Sequence, residues 1–186
     1  MRLPTPRPTW FIRPLWWWQV RRHGSVLEPT ALWSWRPVAM LGFLGLFGLL
    51  RRKRSPLPQR LRALVSVRVS QVVGCAFCID LNAALMAGEA AAPLLAQVAQ
   101  WRASPDFEPQ ERLALEYAEA MSATPPTVDD DMMARLRAAF EPEAIVELSA
   151  VVALQNMSAR FNTALDANAH GFCIPAAARP LVSTSP

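Results

Sequence analysis

The apolar residues of this chain recur at the spacing of an α-helix rather than that of a β-strand. Leu61, Leu64, Val65, Val69 and Val72 fall three or four positions apart and so share one helical face. No stretch of useful length alternates between apolar and polar residues, as a half-buried strand does. Glycine is scarce, with 7 in 186 residues, and 52% of the residues are hydrophobic. These features predict an all-α fold with a sizeable core.

The same spacing, taken together with the prolines and turn residues, predicts the order of the helices. Gly74 is expected to kink or restart a helix, and Asp129, Asp130 and Asp131 are expected in the first turn of another, where the helix dipole favours acids. The predicted helices cover residues 59–73, 75–89, 94–102, 109–121, 129–140 and 143–167.

The most hydrophobic stretch, residues 38–50, is followed at once by the basic residues 51–54. A membrane span with a basic flank has this pattern, but a span needs about 20 residues and runs of roughly 10–14 are more often buried helices. Pro37 interrupts an extension towards the N-terminus. We therefore expect a buried helix here, with a membrane anchor as the alternative.

Charge is divided unevenly along the chain. Residues 1–62 hold twelve basic residues and one acid, Glu28, whereas the remainder holds seven arginines and 14 acids. Prolines and the run Trp16-Trp17-Trp18 also lie in the basic part, and they predict an irregular Trp/Pro/Arg-rich arm over residues 1–30. The arm is expected to cover the acidic body of its own or a sister subunit. Contact with a membrane surface through residues 10–50 is the alternative.

Two of the three cysteines, Cys75 and Cys78, form a Cys-x-x-Cys motif near a predicted helix start. Their sulfurs are expected one helical turn apart on one face, where free backbone N–H groups and the helix dipole stabilise a thiolate. The second thiol can attack a sulfenic acid or mixed disulfide formed at the first. The spacing therefore favours a dithiol redox cycle, with two small buried structural residues as the alternative.

Metal ligation is the other chemistry of this motif, and the surrounding sequence does not favour it. Attachment of c-type haem needs a histidine directly after the second cysteine, where Ile79 stands. Zinc would need His170 and Cys173, from the far end of the chain, to complete a four-ligand set. We expect no metal and no cofactor.

Residues 57–89, LPQRLRALVSVRVSQVVGCAFCIDLNAALMAGE, resemble the core of the alkylhydroperoxidase AhpD-like, or carboxymuconolactone decarboxylase, superfamily. Residues 111–119 resemble the family's following helix, and residues 153–165 resemble its last helix. The resemblance spans residues 31–170, and it leaves 1–30 as an arm and 171–186 as a C-terminal tail.

This resemblance implies an all-α, AhpD-like helical bundle that oligomerises, commonly as a trimer or hexamer. In redox members of the family the second cysteine, here Cys78, attacks a peroxide, and the first, here Cys75, resolves the sulfenic acid. A histidine four residues after the second cysteine and a glutamate twelve before the first relay the proton.

The chain departs from the family at both relay positions, which hold Asn82 and Ala63. Asparagine forms hydrogen bonds but does not take up a proton near neutral pH. Asn82 is therefore a candidate for binding a substrate oxygen or for capping a buried pocket, and Glu116, His170 and Arg68 are candidate substitutes in the relay. We expect weaker peroxidase activity than with the full relay, or a different thiol reaction.

The sequence thus favours a thiol-dependent oxidoreductase that reduces a small hydroperoxide and is re-reduced by a thiol protein or a small thiol. A non-catalytic helical oligomer that acts as a binding or scaffold protein is the alternative. A carboxymuconolactone decarboxylase-type lyase is less favoured, because it needs no Cys-x-x-Cys.

Residues 1–24 lack the apolar core and cleavage site of a secretory signal. We expect a cytoplasmic homo-oligomer with no nucleic-acid partner, and association with a membrane as the alternative location.

Overall fold

The computed structural model describes residues 1–87 and 97–172, and within these ranges it contains helices and no strands. The all-α prediction is confirmed. Residues 97–99 of the predicted helix 94–102 are helical, and its first residues lie outside the described ranges, as do the last two of the predicted helix 75–89. The helices are α1 (Arg13–His23), α2 (Glu28–Trp33), α3 (Pro37–Leu50), α4 (Gln59–Val73), α5 (Ala76–Ala87), α6 (Pro109–Ser122), α7 (Asp130–Ala139) and α8 (Pro142–Ala164).

Helix α4 lies at the centre of the fold, because it packs against α5, α6 and α8. Its Val65 and Val69 belong to the main core together with Leu148 of α8, and all three are fully buried. On another side of α4, Leu64 packs with Leu115 of α6 in a second buried cluster. Burial on several sides fixes the direction of α4, and with it the point where the chain turns towards α5.

Several helices begin or end at residues with known capping preferences, which can be read from the sequence. Glu108 and Glu111 form a capping box at the start of α6, and the side chain of Asp129 accepts a hydrogen bond from the backbone N–H of Met132 at the start of α7. Helix α4 ends at Gly74, whose φ of +75° is left-handed. Helix α8 ends at Ala164, three residues before the predicted end.

The prediction of an irregular arm over residues 1–30 is correct for residues 1–12 and wrong for α1 and the start of α2. Pro14 lies in the first turn of α1, where a backbone N–H has no helical partner, so this proline starts a helix instead of preventing one. Gln19 of α1 joins the two helices by donating to the Thr30 hydroxyl (2.8 Å). Trp33 stacks on Phe161 of α8 with 4.4 Å between ring centroids, so the segment packs on its own chain.

Helix α3 confirms the predicted helix but not its predicted burial. Met40 and Leu50 are buried, and Phe43 and Phe47 pack partly against the main core. The other apolar side chains, including Val38 at 76% exposure, face away from the body. A helix that is apolar on all sides buries only the sides that face a neighbour, and the neighbours of α3 are α2 and α8. Among the described residues, no helix has the length and apolar character needed to span a membrane.

We predict opposite effects on stability for two glycine substitutions. A Cβ added at Gly74 or at Gly42 meets no atom within 4 Å, so neither change introduces a clash. Gly74→Ala places alanine in a left-handed conformation and is expected to lower the free energy of unfolding by about 1 kcal/mol. Gly42→Ala lies inside α3 and is expected to raise it by up to about 1 kcal/mol. Urea unfolding of both variants measures this, and shifts of the same sign would contradict the assignment of the turn.

Candidate active site

Cys75 and Cys78 lie at the start of α5, as predicted from their spacing. The left-handed turn at Gly74 directs the chain back, and the N–H of Cys75 donates to the carbonyl of Ser70 (3.0 Å). The Sγ of Cys75 accepts a hydrogen bond from the backbone N–H of Cys78 at 3.2 Å, so the sulfur occupies the place of a helix N-cap oxygen. The two sulfurs form a disulfide, with 5.2 Å between the Cα atoms.

Both sulfurs are enclosed, since Cys75 and Cys78 are each 2% exposed. They form a small buried cluster with Phe77 and Ala159. Four partly buried apolar side chains cover this cluster: Leu27 from the N-terminal segment, Val73 and Leu81 from α4 and α5, and Phe172 from the end of the described chain. Reaction with a molecule in solution therefore requires part of this cover to move.

The part of the cover that follows α8 is held by a carboxylate on α5. Asp80 accepts hydrogen bonds from the backbone N–H groups of His170 (3.0 Å) and Phe172 (2.9 Å). The ring of His170 is bonded to the hydroxyl of Ser25 (3.1 Å), and Phe172 lies edge-on to Phe77. His170 thus lies at the rim of the cysteine cluster, next to the residue that covers it.

Asn162 of α8 contacts the dithiol directly. Its Nδ2 donates to the Sγ of Cys78 at 3.3 Å, and the residue is 2% exposed. The Oδ1 of the same side chain is buried and has no hydrogen-bond partner among the described residues. Each sulfur therefore has an N–H donor, the backbone of Cys78 for Cys75 and Asn162 for Cys78, and such donors favour the ionised form of a thiol.

Asn82, at the relay histidine position, belongs to a buried amide and hydroxyl cluster. Its Nδ2 donates to the carbonyl of Cys78 (2.9 Å), to the Oε1 of Gln155 (3.1 Å) and to the hydroxyl of Ser70 (3.3 Å). Gln155 also donates to Ser70 (3.0 Å). This cluster joins α4, α5 and α8 beside the disulfide, and none of the three side chains takes up a proton near neutral pH. The hydrogen bonds of this cluster hold Cys78 in position.

Ala63, at the relay glutamate position, lines a cavity of about 80 Å³ that Gln155 also lines. Arg51 and Arg62 line the same cavity. Arg51 approaches the Oδ1 of Asn82 at 3.5 Å, which connects the cavity to the buried cluster.

The structure does not bring Glu116 or Arg68 into contact with the cysteines. Arg135 holds the carboxylate of Glu116 with two hydrogen bonds (2.8 and 3.0 Å), and these bonds lower the pKa of Glu116, which burial alone would raise. Arg68 is bonded to Glu119 at 2.6 Å. Of the site residues proposed from the sequence besides the cysteines, Asn82 contacts Cys78, and His170 lies at the rim of the cysteine cluster.

Within the described residues, no group of three His, Cys, Asp or Glu side chains is placed to hold a metal ion. Cys173, the other zinc ligand considered from the sequence, lies outside those residues.

Sequence reasoning missed Asn162, Gln155 and Ser70. A usable signal was present, because Gln155, Ala159 and Asn162 follow one another at helical spacing and so share one face of the predicted last helix. Two amide side chains on one buried helical face need hydrogen-bond partners, and these partners lie at the Cys75–Cys78 turn and on α4.

Helices packed around α4, with a dithiol at the start of the neighbouring helix α5, define a protein of the AhpD-like class. The chain belongs to the carboxymuconolactone decarboxylase family, whose sequence profile matches residues 37–120. It is 47% identical over 163 residues to the uncharacterized protein YnjA of Escherichia coli, covering 87% of this chain and 90% of that one.

Solved structures share the fold. A peroxidase-related protein with an AhpD core from Ralstonia eutropha superposes with a TM-score of 0.79 at 22% identity, covering 93% of this chain and 94% of that one. The debrominase Bmp8, in a complex with 2,3,4-tribromopyrrole, superposes with a TM-score of 0.75 at 20% identity, covering 89% of this chain and 90% of that one.

We predict that Asn162→Leu makes the Cys78 thiolate harder to form. The variant keeps a similar volume but removes the donor to Sγ, and a hydrogen bond to a charged group is worth about 1.5–3 kcal/mol. At neutral pH, alkylation of the reduced protein by iodoacetamide is expected to slow by about tenfold, with the rate profile displaced to higher pH.

Asn156→Leu is the matched control for this prediction. Asn156 lies on the same helix but donates to Ser122 and Val152 instead of to sulfur. If both variants are alkylated at the same rate as the unsubstituted protein, Asn162 does not influence the thiol.

Proposed function

We propose that this protein is a thiol-dependent oxidoreductase that reduces a small hydroperoxide with Cys78 and Cys75. The observation that carries the proposal is the sulfur pair at the start of α5, bonded to each other and each within reach of an N–H donor. Membership of the carboxymuconolactone decarboxylase family supports it, as does the fold shared with peroxidase-related proteins.

The proposed reaction is a two-electron exchange. The Cys78 thiolate attacks one peroxide oxygen, the O–O bond breaks, and the alcohol leaves with a proton, so that Cys78 becomes a sulfenic acid. The Cys75 sulfur then attacks the Cys78 sulfur, forming the disulfide and releasing water. A thiol protein or a small thiol returns two electrons and two protons and restores both cysteines.

Proton transfer is where this chain differs from relatives with the full relay. Asn82 and Ala63 supply neither an acid nor a base, and Glu116 is engaged by Arg135. His170 remains a titratable candidate at the rim of the cysteine cluster. General acid–base help is typically worth 10²–10⁴-fold, so the proposed reaction runs slowly for a peroxidase of this kind.

The alternative function, a non-catalytic helical oligomer, is favoured by two observations. The sulfurs are enclosed, and α3 presents apolar side chains to the outside. Either function is compatible with a homo-oligomer, and we propose that a second copy covers the exposed side of α3.

A carboxymuconolactone decarboxylase-type lyase is less favoured, because its reaction does not need the sulfur pair. A redox cycle of this pair requires a reducing compartment, and on that ground we propose a cytoplasmic location.

We predict that hydroperoxide converts two free thiols per chain into an internal disulfide. After complete reduction and removal of the reductant, thiols are counted with and without cumene hydroperoxide. Cys75→Ser is expected to stop disulfide formation within the chain while Cys78 is still oxidised, and Cys78→Ser is expected to abolish peroxide consumption. Unchanged thiol counts in the unsubstituted protein would favour the non-catalytic alternative.

We further predict that restoring the relay accelerates the reaction. In Asn82→His with Ala63→Glu, an imidazole lies one turn from Cys78 and a carboxylate enters the adjacent cavity. With hydrogen peroxide, the rate constant for disulfide formation is expected to rise by up to about 100-fold over the unsubstituted protein. Asn82→His alone is the control, with a smaller gain. A double variant that folds and reacts no faster would show that proton transfer does not limit the rate.

A further inference from the structure

The cavity beside Ala63 is partly apolar and partly cationic. Its walls come from the end of α3, the start of α4, the end of α5 and the middle of α8. Phe47, Leu50, Leu85 and Leu154 supply apolar surface, and Arg51 and Arg62 supply two guanidinium groups. It opens to solvent near the exposed residues Gln59 and Leu85.

Among the described residues, neither arginine has an anionic partner. Arg62 is 7% exposed, donates from one terminal nitrogen to the carbonyl of Leu50 (2.5 Å), and has a buried Nε without a partner among the described residues. Arg51 lies over the ring of Phe47. Burial lowers the pKa of Arg51, and the positive charge of Arg62 lowers it further. Two like charges in a partly buried cavity are unfavourable until an anion neutralises them.

Among the described residues that line the cavity, none is Asp or Glu. The buried Glu147, one turn before the lining residue Val151 on α8, is already bonded to Arg52 and Ser55. At the position where the family resemblance implies a glutamate, Ala63 leaves the space open. The cavity therefore has room and positive charge for a carboxylate that none of the described lining residues provides.

The cavity also lies on the side of α5 that carries the dithiol. Cys78, Asn82 and Leu85 follow one another at four and three positions and so share a helical face. Leu85 lines the cavity, and Asn82 contacts both Cys78 and the lining residue Gln155. At 1.5 Å per residue, Leu85 is on the order of 10 Å from Cys78 along the helix axis, a span that a short aliphatic chain bridges.

We propose that this cavity binds the carboxylate of an aliphatic acid through Arg51 and Arg62, so that the preferred substrate is a hydroperoxide of a fatty or other aliphatic carboxylic acid. The arginine forks match a carboxylate, and the leucine and phenylalanine walls match the first carbons of its chain. The substrate class rests on the proposed peroxidase function, whereas the carboxylate site does not.

Binding is tested on the oxidised, full-length protein, which cannot react with a peroxide. Isothermal titration with octanoate is compared with octan-1-ol and with inorganic phosphate. Octanoate is expected to bind at least about tenfold more tightly than either, and Arg51→Gln and Arg62→Gln are each expected to weaken octanoate by about tenfold or more. Ala63→Glu, which adds a carboxylate to the cavity, is expected to abolish binding.

Arg54→Gln is the charge-matched control, because Arg54 is exposed and does not line the cavity. It is expected to bind octanoate as the unsubstituted protein does. Equal binding of octanoate and octan-1-ol, tighter binding of phosphate, or undiminished octanoate binding by Arg51→Gln would each overturn the carboxylate site. Arg51 is only partly buried, so this variant remains informative if Arg62→Gln does not fold.

The substrate class is tested with the reduced protein. The kcat/KM for linoleic acid hydroperoxide is expected to exceed that for its methyl ester by about tenfold, and Arg51→Gln is expected to remove this difference. Equal values for acid and ester overturn the substrate class. If neither hydroperoxide is consumed, the peroxidase function is wrong, and the octanoate titration still decides whether the carboxylate site exists.

Discussion

The burial of α4 on several sides is the constraint on which the rest of this structure depends. Val65 and Val69 face one core and Leu64 faces another, so the helix can neither rotate nor slide without exposing one of them. The chain leaves this fixed helix through the left-handed turn at Gly74. Cys75 and Cys78 follow at once, so the packing of α4 determines where the dithiol begins.

Near this turn, the amide of Asn82 stands where the family resemblance implies a histidine. Asn82, Gln155 and Ser70 bond to one another and join three helices, and Asn162 donates to the Cys78 sulfur. A buried network whose donors are matched by acceptors holds a geometry firmly, but it cannot carry a proton. These hydrogen bonds fix the position of Cys78, and the N–H donor at its sulfur is of the kind that favours a thiolate.

The single chain encloses the dithiol under a cover, whereas it leaves the outer side of α3 exposed. Phe172 and Leu27 enclose the sulfurs, and the carboxylate of Asp80 accepts backbone hydrogen bonds that hold the segment carrying Phe172. Helix α3 packs one stripe on α8 and leaves the rest of its apolar surface outside. Local opening of a surface segment needs less free energy than global unfolding, and an opening of the cover would expose the sulfurs.

The sequence by itself determined the helical class, most helix boundaries and the one-turn spacing of the cysteines. These depend on residues close in the chain: apolar periodicity, Gly74, and the acids that begin α7. It also identified the departure at Asn82 and Ala63, because fixed distances from the cysteines define those positions. It misjudged Pro14 and the burial of α3, since a proline either starts or ends a helix and an apolar helix is buried only where a neighbour exists.

Only the tertiary structure decided which distant residues meet. Asn162 lies more than eighty residues from Cys78 in the chain, and Arg51 and Arg62 face the space beside Ala63 only because α3, α4 and α8 converge there. It also placed Glu116 beside Arg135 and His170 at the rim of the cysteines. Periodicity tells which face of each helix is buried, but the relative rotation and order of the helices follow from packing of the whole core, which no local pattern encodes.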